Sequence, residues 1–387
     1  MHEVSSGRHY LDNASSAALR PEAARAMAAW LEEHHSGDPG RVHAEGRFVR
    51  DAIERARDAV AALLGTTANR VVFTSGGTEA ANAAVFSAGT ARPGVPMICA
   101  DVEHSCVREA AQRFGPVSQL EVDSSGRVDL GHLETLLVAG GGIRTALVNC
   151  QWANHEVGTL QPVAEVVALC RDAGVPVHID AAAALGHFPV ELDALGADFV
   201  SASAHKFGGP PGTGALVVRR GLRLEPFIVG GAQERARRGG IENVLGIVGF
   251  GAAAAALNEP GRLEREEAAA WRLTGSLLEA ATSLEDVDPL GDNLQRAPHI
   301  VNVAVGGVLA EAVLLGLDRS GIAAHSGSAC SSETIEPSPV LAAMGVDPDR
   351  SLRLSVGWSS TDDDVAAFAT AFPAVVGRLR ALGSTKT

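Results

Sequence analysis

Aromatic side chains are scarce in this chain: one tyrosine, four tryptophans and 11 phenylalanines, or 4% of 387 residues. Its core must therefore be filled by small and branched aliphatic groups. Hydrophobic residues still make up 46%, which excludes a disordered protein, and the length allows an ample core. Basic residues are also short, 32 against 46 acidic ones. The resulting net charge of −14 argues against nonspecific binding to nucleic acid or anionic membrane, which needs a basic face. The densest basic run, Arg235 to Arg238, reads as a solvated turn or an intersubunit contact. The five cysteines, Cys99, Cys106, Cys150, Cys170 and Cys330, show neither CxxC pairing nor metal-ligand spacing, so no metal site is expected. Cys99, Cys150 and Cys170 read as small apolar fillers; Cys106, near His104, either lines a site or fills a core, the second being the expected role. No uninterrupted apolar run reaches membrane-spanning length, and the N-terminus lacks a signal-peptide pattern. A reducing cytoplasm is the expected location.

Glycine, by contrast, is plentiful, and its densest use surrounds Lys206. The stretch Ser201 to Gly214, SASAHKFGGPPGTG, lies between two apolar runs. It reads as strand, loop, strand, with six glycines or prolines from Gly208 onward setting a tight loop. A lone lysine there reads most simply as one that snorkels to solvent. The remaining motifs change that reading.

Val71-Val-Phe-Thr-Ser is a strand feeding Gly76-Gly77-Thr78-Glu79 and a helix. Such a turn binds anions, because unpaired N–H groups and the helix dipole both favour phosphate. His104 follows a strand at Pro96–Ala100, Asn154-His155 follows another at Ala146–Cys150, and Asp180 ends Val175–Asp180. Strands and helices alternate from about residue 70 to 220, predicting an α/β fold with a mostly parallel mixed sheet and helices on both faces. A long charged helix over 261–284 bridges to a smaller α+β unit, whose last helix opens on Thr361-Asp-Asp-Asp364 and is expected to kink or split at Pro373.

Together the strand ends supply a phosphate cradle, a histidine, a carboxylate and a lysine, the parts needed to hold pyridoxal 5′-phosphate (PLP). At this point a resemblance is clear. YLDNAS, GDPGRVHAEG, TSGGTEAAN, EHS, HIDAAAALG, the Lys206 loop, SGSACSSETIEPSPVLAAMG and SLRLSVG make the chain similar, almost end to end, to the IscS/NifS-type cysteine desulfurases. These are class V aminotransferase relatives of fold type I. The resemblance implies PLP on Lys206, Asp180 paired with its ring nitrogen, and His104 stacked on the ring and moving protons. It implies Gly77, Thr78, Ser203 and His205 at the phosphate, with His155 as a further cofactor contact. Asn154 and Arg353 would bind substrate, the arginine fork suiting the α-carboxylate of L-cysteine. Cys330, on a loop from about Ser326 to Pro337, would take the sulfur as a persulfide and pass it to an acceptor protein. A homodimer is implied too. A large PLP-binding domain over 16–260 and a small domain made of 1–15 and 261–387, carrying the cysteine loop, are expected.

Three positions depart from the family's pattern. His155 stands where an asparagine donates to the cofactor's phenolic oxygen, Ala183 where a glutamine does, and Ile241 where a threonine reaches the partner subunit's phosphate. Weaker phosphate grip and altered tuning are expected. Two rivals follow: a C–S lyase of the same fold, of cysteine or selenocysteine type, that does not use Cys330, and a degenerate non-catalytic partner in sulfur transfer.

Overall fold

The computed structural model describes residues 7–33, 37–138, 145–326 and 337–384. Twelve strands form among the described residues: β1 (His9–Tyr10), β2 (Val71–Thr74), β3 (Met97–Ala100), β4 (Val117–Leu120), β5 (Leu147–Gln151), β6 (Val177–Asp180), β7 (Phe199–Ser203), β8 (Gly214–Val218), β9 (Val287–Leu290), β10 (Ile300–Val305), β11 (Ile322–Ala323) and β12 (Ser351–Ser355). The main sheet runs β2-β8-β7-β6-β5-β3-β4. Only β8 is reversed, antiparallel to both β2 and β7. The other six strands share one direction, so their carboxyl ends gather at one edge, where ligands of α/β sheets bind.

The two faces of this sheet are dressed differently. On one, Val148, Cys150, Val177, Ile179, Val200 and Ala202 join a large apolar cluster. Helices α1 (Pro21–Glu33) and α2 (Ala44–Leu63) and the helix Val244–Leu257 pack there against one another. The other face carries α3 (Gly77–Ala91) and α4 (Ser105–Phe114), whose alanines pack on Leu147, Phe199 and Leu216. Small residues let α3 lie close to the sheet, as the scarcity of aromatics requires. On this second face, alternate positions of β5, β6 and β7 are polar: Asn149 and Gln151, His178 and Asp180, Ser201 and Ser203.

A separate apolar cluster unites Leu11 with the three-stranded sheet β12-β10-β9 and the helices Arg262–Thr282 and Asp362–Ser384. β1 pairs in parallel with β11, so the amino-terminal lead-in belongs to this second layer. Val340, Leu341 and Met344 instead pack into the large cluster. The capping signal at Thr361 is realised, with Asp364 Oδ2 accepting the Thr361 N–H at 2.8 Å. The helix is not split at Pro373: it runs on from Asp362 to Ser384 through it. Phe368, Phe372, Val375 and Val376, buried on both sides of the proline, hold the helix against the second core. That helix is long and apolar enough to cross a membrane, yet these four side chains are spent inside the fold.

One turn is strained. Glu234, Arg235 and Ala236 have φ of 47°, 60° and 60°, three consecutive left-handed residues, none of them glycine, at roughly 1–2 kcal/mol each. Glu234 is the anchor, accepting a two-pronged contact from buried Arg57 at 2.6 and 2.9 Å and the Phe73 N–H at 2.9 Å.

Candidate functional site

The carboxyl ends of β2, β3, β5, β6 and β7 open on a cavity of about 490 Å³, a size suited to a cofactor. Gly77, Thr78, His104, His155, Asp180, Ser203, His205 and Lys206 all line it. Gly76 precedes α3 without a side-chain cap, which leaves the first-turn N–H groups available to an anion. A Cβ built on Gly76 would meet nothing within 4 Å, whereas one on Gly214 would come 2.5 Å from the Gly76 carbonyl carbon. The cradle is therefore open on the ligand side and closed behind by β8.

Lys206 follows β7 in a single 3-10 turn. Its Nζ donates to the carbonyls of Ala14 and Ser15 at 2.7 and 3.2 Å, parking an ammonium on two backbone oxygens at the cavity wall. The loop behind it is pinned by Arg20, which is 1% exposed. Arg20 donates to the Phe207 carbonyl at 2.7 Å and pairs with Glu266 at 2.8 and 2.5 Å. Gly208, at φ +91°, lies so close that a Cβ would sit 2.6 Å from Arg20 Cγ, so only glycine fits there. His187 Nε2 lies 3.1 Å from the Lys206 carbonyl and must donate to it; the ring stacks on His299 with centroids 3.4 Å apart.

Asp180 Oδ1 takes the Ala182 N–H at 3.1 Å and lies 2.8 Å from Ser201 Oγ. Its Oδ2 accepts no hydrogen bond among the described residues, and it stands at the cavity wall. His104 caps α4, with Nδ1 accepting the Cys106 N–H at 3.2 Å. His155 meets it edge-on at 5.0 Å between centroids. Burial, then the neighbouring His104, Arg353 and Lys206 charges, hold the His155 imidazole well below its ordinary range, so it enters the site neutral. Ser203 Oγ and His205 Nδ1 are 2.9 Å apart, and burial beside Lys206 brings His205 down to about 4.

Two expected substrate contacts are not brought to the cavity wall. Asn154 is 0% exposed; its Oδ1 accepts the Glu156 and Val157 N–H groups and its Nδ2 donates to the Val102 carbonyl. Such a side chain builds the turn that presents His155. Arg353 is 1% exposed and donates to Asp12 Oδ1, Ser15 Oγ and the His155 carbonyl at 2.7, 2.6 and 2.7 Å. Its Nε is buried without a partner among the described residues. Cys330 lies outside the described residues.

Cys106 takes both roles left open by the sequence: it packs against the apolar cluster under α3 and α4 and also lines the cavity wall, its thiol 3.0 Å from His104 Nδ1. Ala183 is at the wall as well, and Ile241, 63% exposed, lies in an adjoining cleft that shares Ser75 and Gly212 with the main cavity. Sequence reasoning passed over Glu79 and Arg238, which pair at 2.7 and 3.2 Å in the first turn of α3. It also passed over Glu103, 0% exposed, whose Oε1 accepts the Gln151 N–H at 2.7 Å while Oε2 has no partner among the described residues. Burial, aided by the Asp180 charge, pushes its carboxyl up to about 8. The residues present fit PLP: an uncapped helix start for the phosphate, a carboxylate oxygen without a partner, and a lysine amine share one cavity.

The aminotransferase class-V family matches residues 9–368. A cysteine desulfurase of Nostoc sp. is 38% identical over 388 residues, covering 97% of this chain and 95% of its own length. A NifS-like protein from Rickettsia africae superposes with a TM-score of 0.85 at 29% identity, covering 96% of this chain and 99% of that one. SspA, solved in complex with cysteine, superposes with a TM-score of 0.77 at 26% identity over 91% of this chain and all of its own.

Proposed function

The chain belongs to the class-V aminotransferase family and has its fold type I architecture, and from that premise we propose that it is a PLP-dependent cysteine desulfurase. It takes sulfur from L-cysteine, releases L-alanine and leaves a persulfide on Cys330 for an acceptor protein. The observation that carries this is the convergence of Lys206, Asp180, His104 and the Gly76–Thr78 cradle on one cavity.

When bound, PLP supplies an aldehyde carbon for Lys206 and an electron sink for the substrate Cα. The chain does the rest. Thr78, Ser203, His205 and the α3 start would hold the phosphate, and Asp180 would pair with the ring nitrogen. Lys206 leaves the Ala14 and Ser15 carbonyls to act as nucleophile and later as proton carrier. His104, whose Nδ1 is taken by the Cys106 N–H, turns Nε2 toward the reacting atoms as proton donor. Arg353 binds the substrate carboxylate by releasing Ser15, an exchange of one charge-assisted contact for a stronger one. The Cys330 thiolate attacks the substrate sulfur, the S–Cβ bond breaks, and its electron pair goes to the carbon that becomes alanine.

The same reading divides the chain into a large domain, 16–260, and a small one made of 1–15 and 261–387; the β1–β11 pairing and Leu11 in the second core support it. It places the enzyme in the cytoplasm as a homodimer. The test is alanine release from L-cysteine, with mass spectrometry for a persulfide on Cys330. A Cys330→Ser variant that turns over unimpaired and frees sulfide would make the protein a C–S lyase instead. A chain with neither visible cofactor absorbance nor alanine release would be a non-catalytic partner.

A further inference from the structure

Behind the Asp180 wall runs a row of polar side chains that the proposed reaction leaves unused. Asp180 Oδ1 is 2.8 Å from Ser201 Oγ, Ser201 Oγ is 3.1 Å from His178 Nε2, and His178 Nδ1 is 3.1 Å from Asn149 Oδ1. Strand register sets Asn149 beside His178 and Asp180 beside Ser201. Asn149, His178 and Ser201 are each 0% exposed, so bulk water supplies none of the hydrogens.

Counting donors limits what this row can hold. Asn149 Nδ2 faces the Ile98 carbonyl at 3.4 Å, which turns Oδ1 toward His178, and an amide oxygen only accepts. Nδ1 of His178 must therefore carry hydrogen. If His178 is neutral, as its burial favours, Nε2 is a lone pair and takes the Ser201 hydroxyl hydrogen. Ser201 Oγ is then an acceptor toward Asp180, which must supply a hydrogen from Oδ1. If Asp180 is a carboxylate, the Ser201 hydrogen turns to it, Nε2 must donate, and His178 is an imidazolium. Both satisfied states hold one proton more than a carboxylate beside a neutral imidazole.

Building on the cofactor reading above, we infer that Asn149, His178, Ser201 and Asp180 form a proton wire that matches the charge of Asp180 to the ring nitrogen docked on its other oxygen. Ser201 and His178 are its positioning residues. Before docking, His178 is neutral in its full burial, and the donor count then leaves the extra hydrogen between Asp180 Oδ1 and Ser201 Oγ. When a protonated ring nitrogen arrives at Oδ2, Asp180 gives its Oδ1 proton to Ser201 as Ser201 passes its own hydrogen to His178 Nε2. Two O–H bonds break, one O–H and one N–H form, and a carboxylate and an imidazolium remain.

The full-length chain with 15N-labelled histidine reads the wire directly by NMR. His178 is assigned by His178→Gln or, if that variant does not fold, by the one histidine that Ser201→Ala shifts. Nδ1 is expected to be protonated before PLP is added, and Nε2 to gain a proton on loading, which absorbance follows separately. Ser201→Ala is expected to load with about tenfold weaker affinity and to show no change at Nε2; Ser201→Thr should restore it. A bare Nδ1, or an unchanged Nε2 in loaded wild type, overturns the wire. A chain that never takes up PLP overturns the cofactor reading instead, while the Nδ1 measurement on the free chain still decides the wire.

Discussion

The two ends of the cavity are stabilised by opposite means. At the Asp180 end, Asp180 and Glu103 form no ion pair with lysine or arginine among the described residues; backbone N–H groups and the Ser201 hydroxyl meet them instead. At the α3 end, charge is met by charge: Glu79 by Arg238, and Glu234 by Arg57. Where a buried carboxyl has no ion pair among the described residues, as at Glu103, it can hold a proton, which suits an end that meets a ring nitrogen. An ion-paired end holds fixed charges whatever the state of the reaction, which suits a phosphate.

The sharpest way to break this contrast is at the paired end. Glu234→Ala leaves Arg57 buried without its partner, and breaking a buried pair in that way costs about 3–5 kcal/mol. Urea unfolding measures it. A loss below about 1 kcal/mol would mean that the left-handed turn relaxes and returns its strain. At the unpaired end the expected effect is on pH dependence. Glu103, with an ordinary value of 4.5 and about 8 in the fold, binds a proton in the native state that the unfolded chain releases. Its contribution is full below pH 4.5 and lost as the pH rises through 8. Relative to Glu103→Gln, the wild type should lose about 4 kcal/mol between roughly pH 5 and pH 9. Parallel stability profiles would show that Glu103 is not held neutral.

The sequence showed one of these ends better than the other. The α3 cradle was legible because a strand, two glycines and a helix start are contiguous in the chain. Asp180 was legible because it ends a strand of the sheet, and Lys206 because it follows the next strand by a single turn. Arg238 was not, because it lies about 160 residues from Glu79 and arrives on a turn whose backbone no propensity predicts. The row behind Asp180 left a trace that was passed over. Polar residues at every second position of β5, β6 and β7 are costly in buried strands unless they meet one another. Alternation gives the face but not the register, and only register brings His178 beside Asn149. Cys106 stayed open in the sequence because a cysteine shortly after a strand end looks alike whether it packs on a core or faces a ligand, and here it does both.

Arg238→Gln tests the paired end with a smaller effect. Its guanidinium neutralises Glu79, and Arg238, first among the causes that lower it, helps keep that carboxyl below its ordinary range and so ionised. Without Arg238 the bare charge opposes a phosphate in the same helix turn. PLP affinity should fall about ten- to hundredfold, while affinity for pyridoxal, which lacks the phosphate, stays constant. Glu79→Gln combined with Arg238→Gln should recover most of the loss. If the double variant binds as poorly as the single one, Arg238 is needed for the shape of the turn rather than for charge.

The smallest expected effect is a gain, at a position between the two ends. Ala183 lines the cavity near Asp180 and has no group to offer the cofactor's phenolic oxygen. His155, neutral and 9% exposed, can donate one hydrogen bond there but carries no charge to strengthen it. Ala183→Gln directs an amide donor toward the cavity from a position that is buried in the large apolar cluster and also lines the cavity wall. A neutral hydrogen bond formed in that way contributes about 1 kcal/mol, or roughly fivefold in PLP affinity. The wavelength of the bound cofactor should move with it, because the phenolic oxygen is part of the absorbing system. Tighter binding with an unchanged spectrum would put the new amide on the phosphate instead, and the neutral character of this end would then stop short of residue 183.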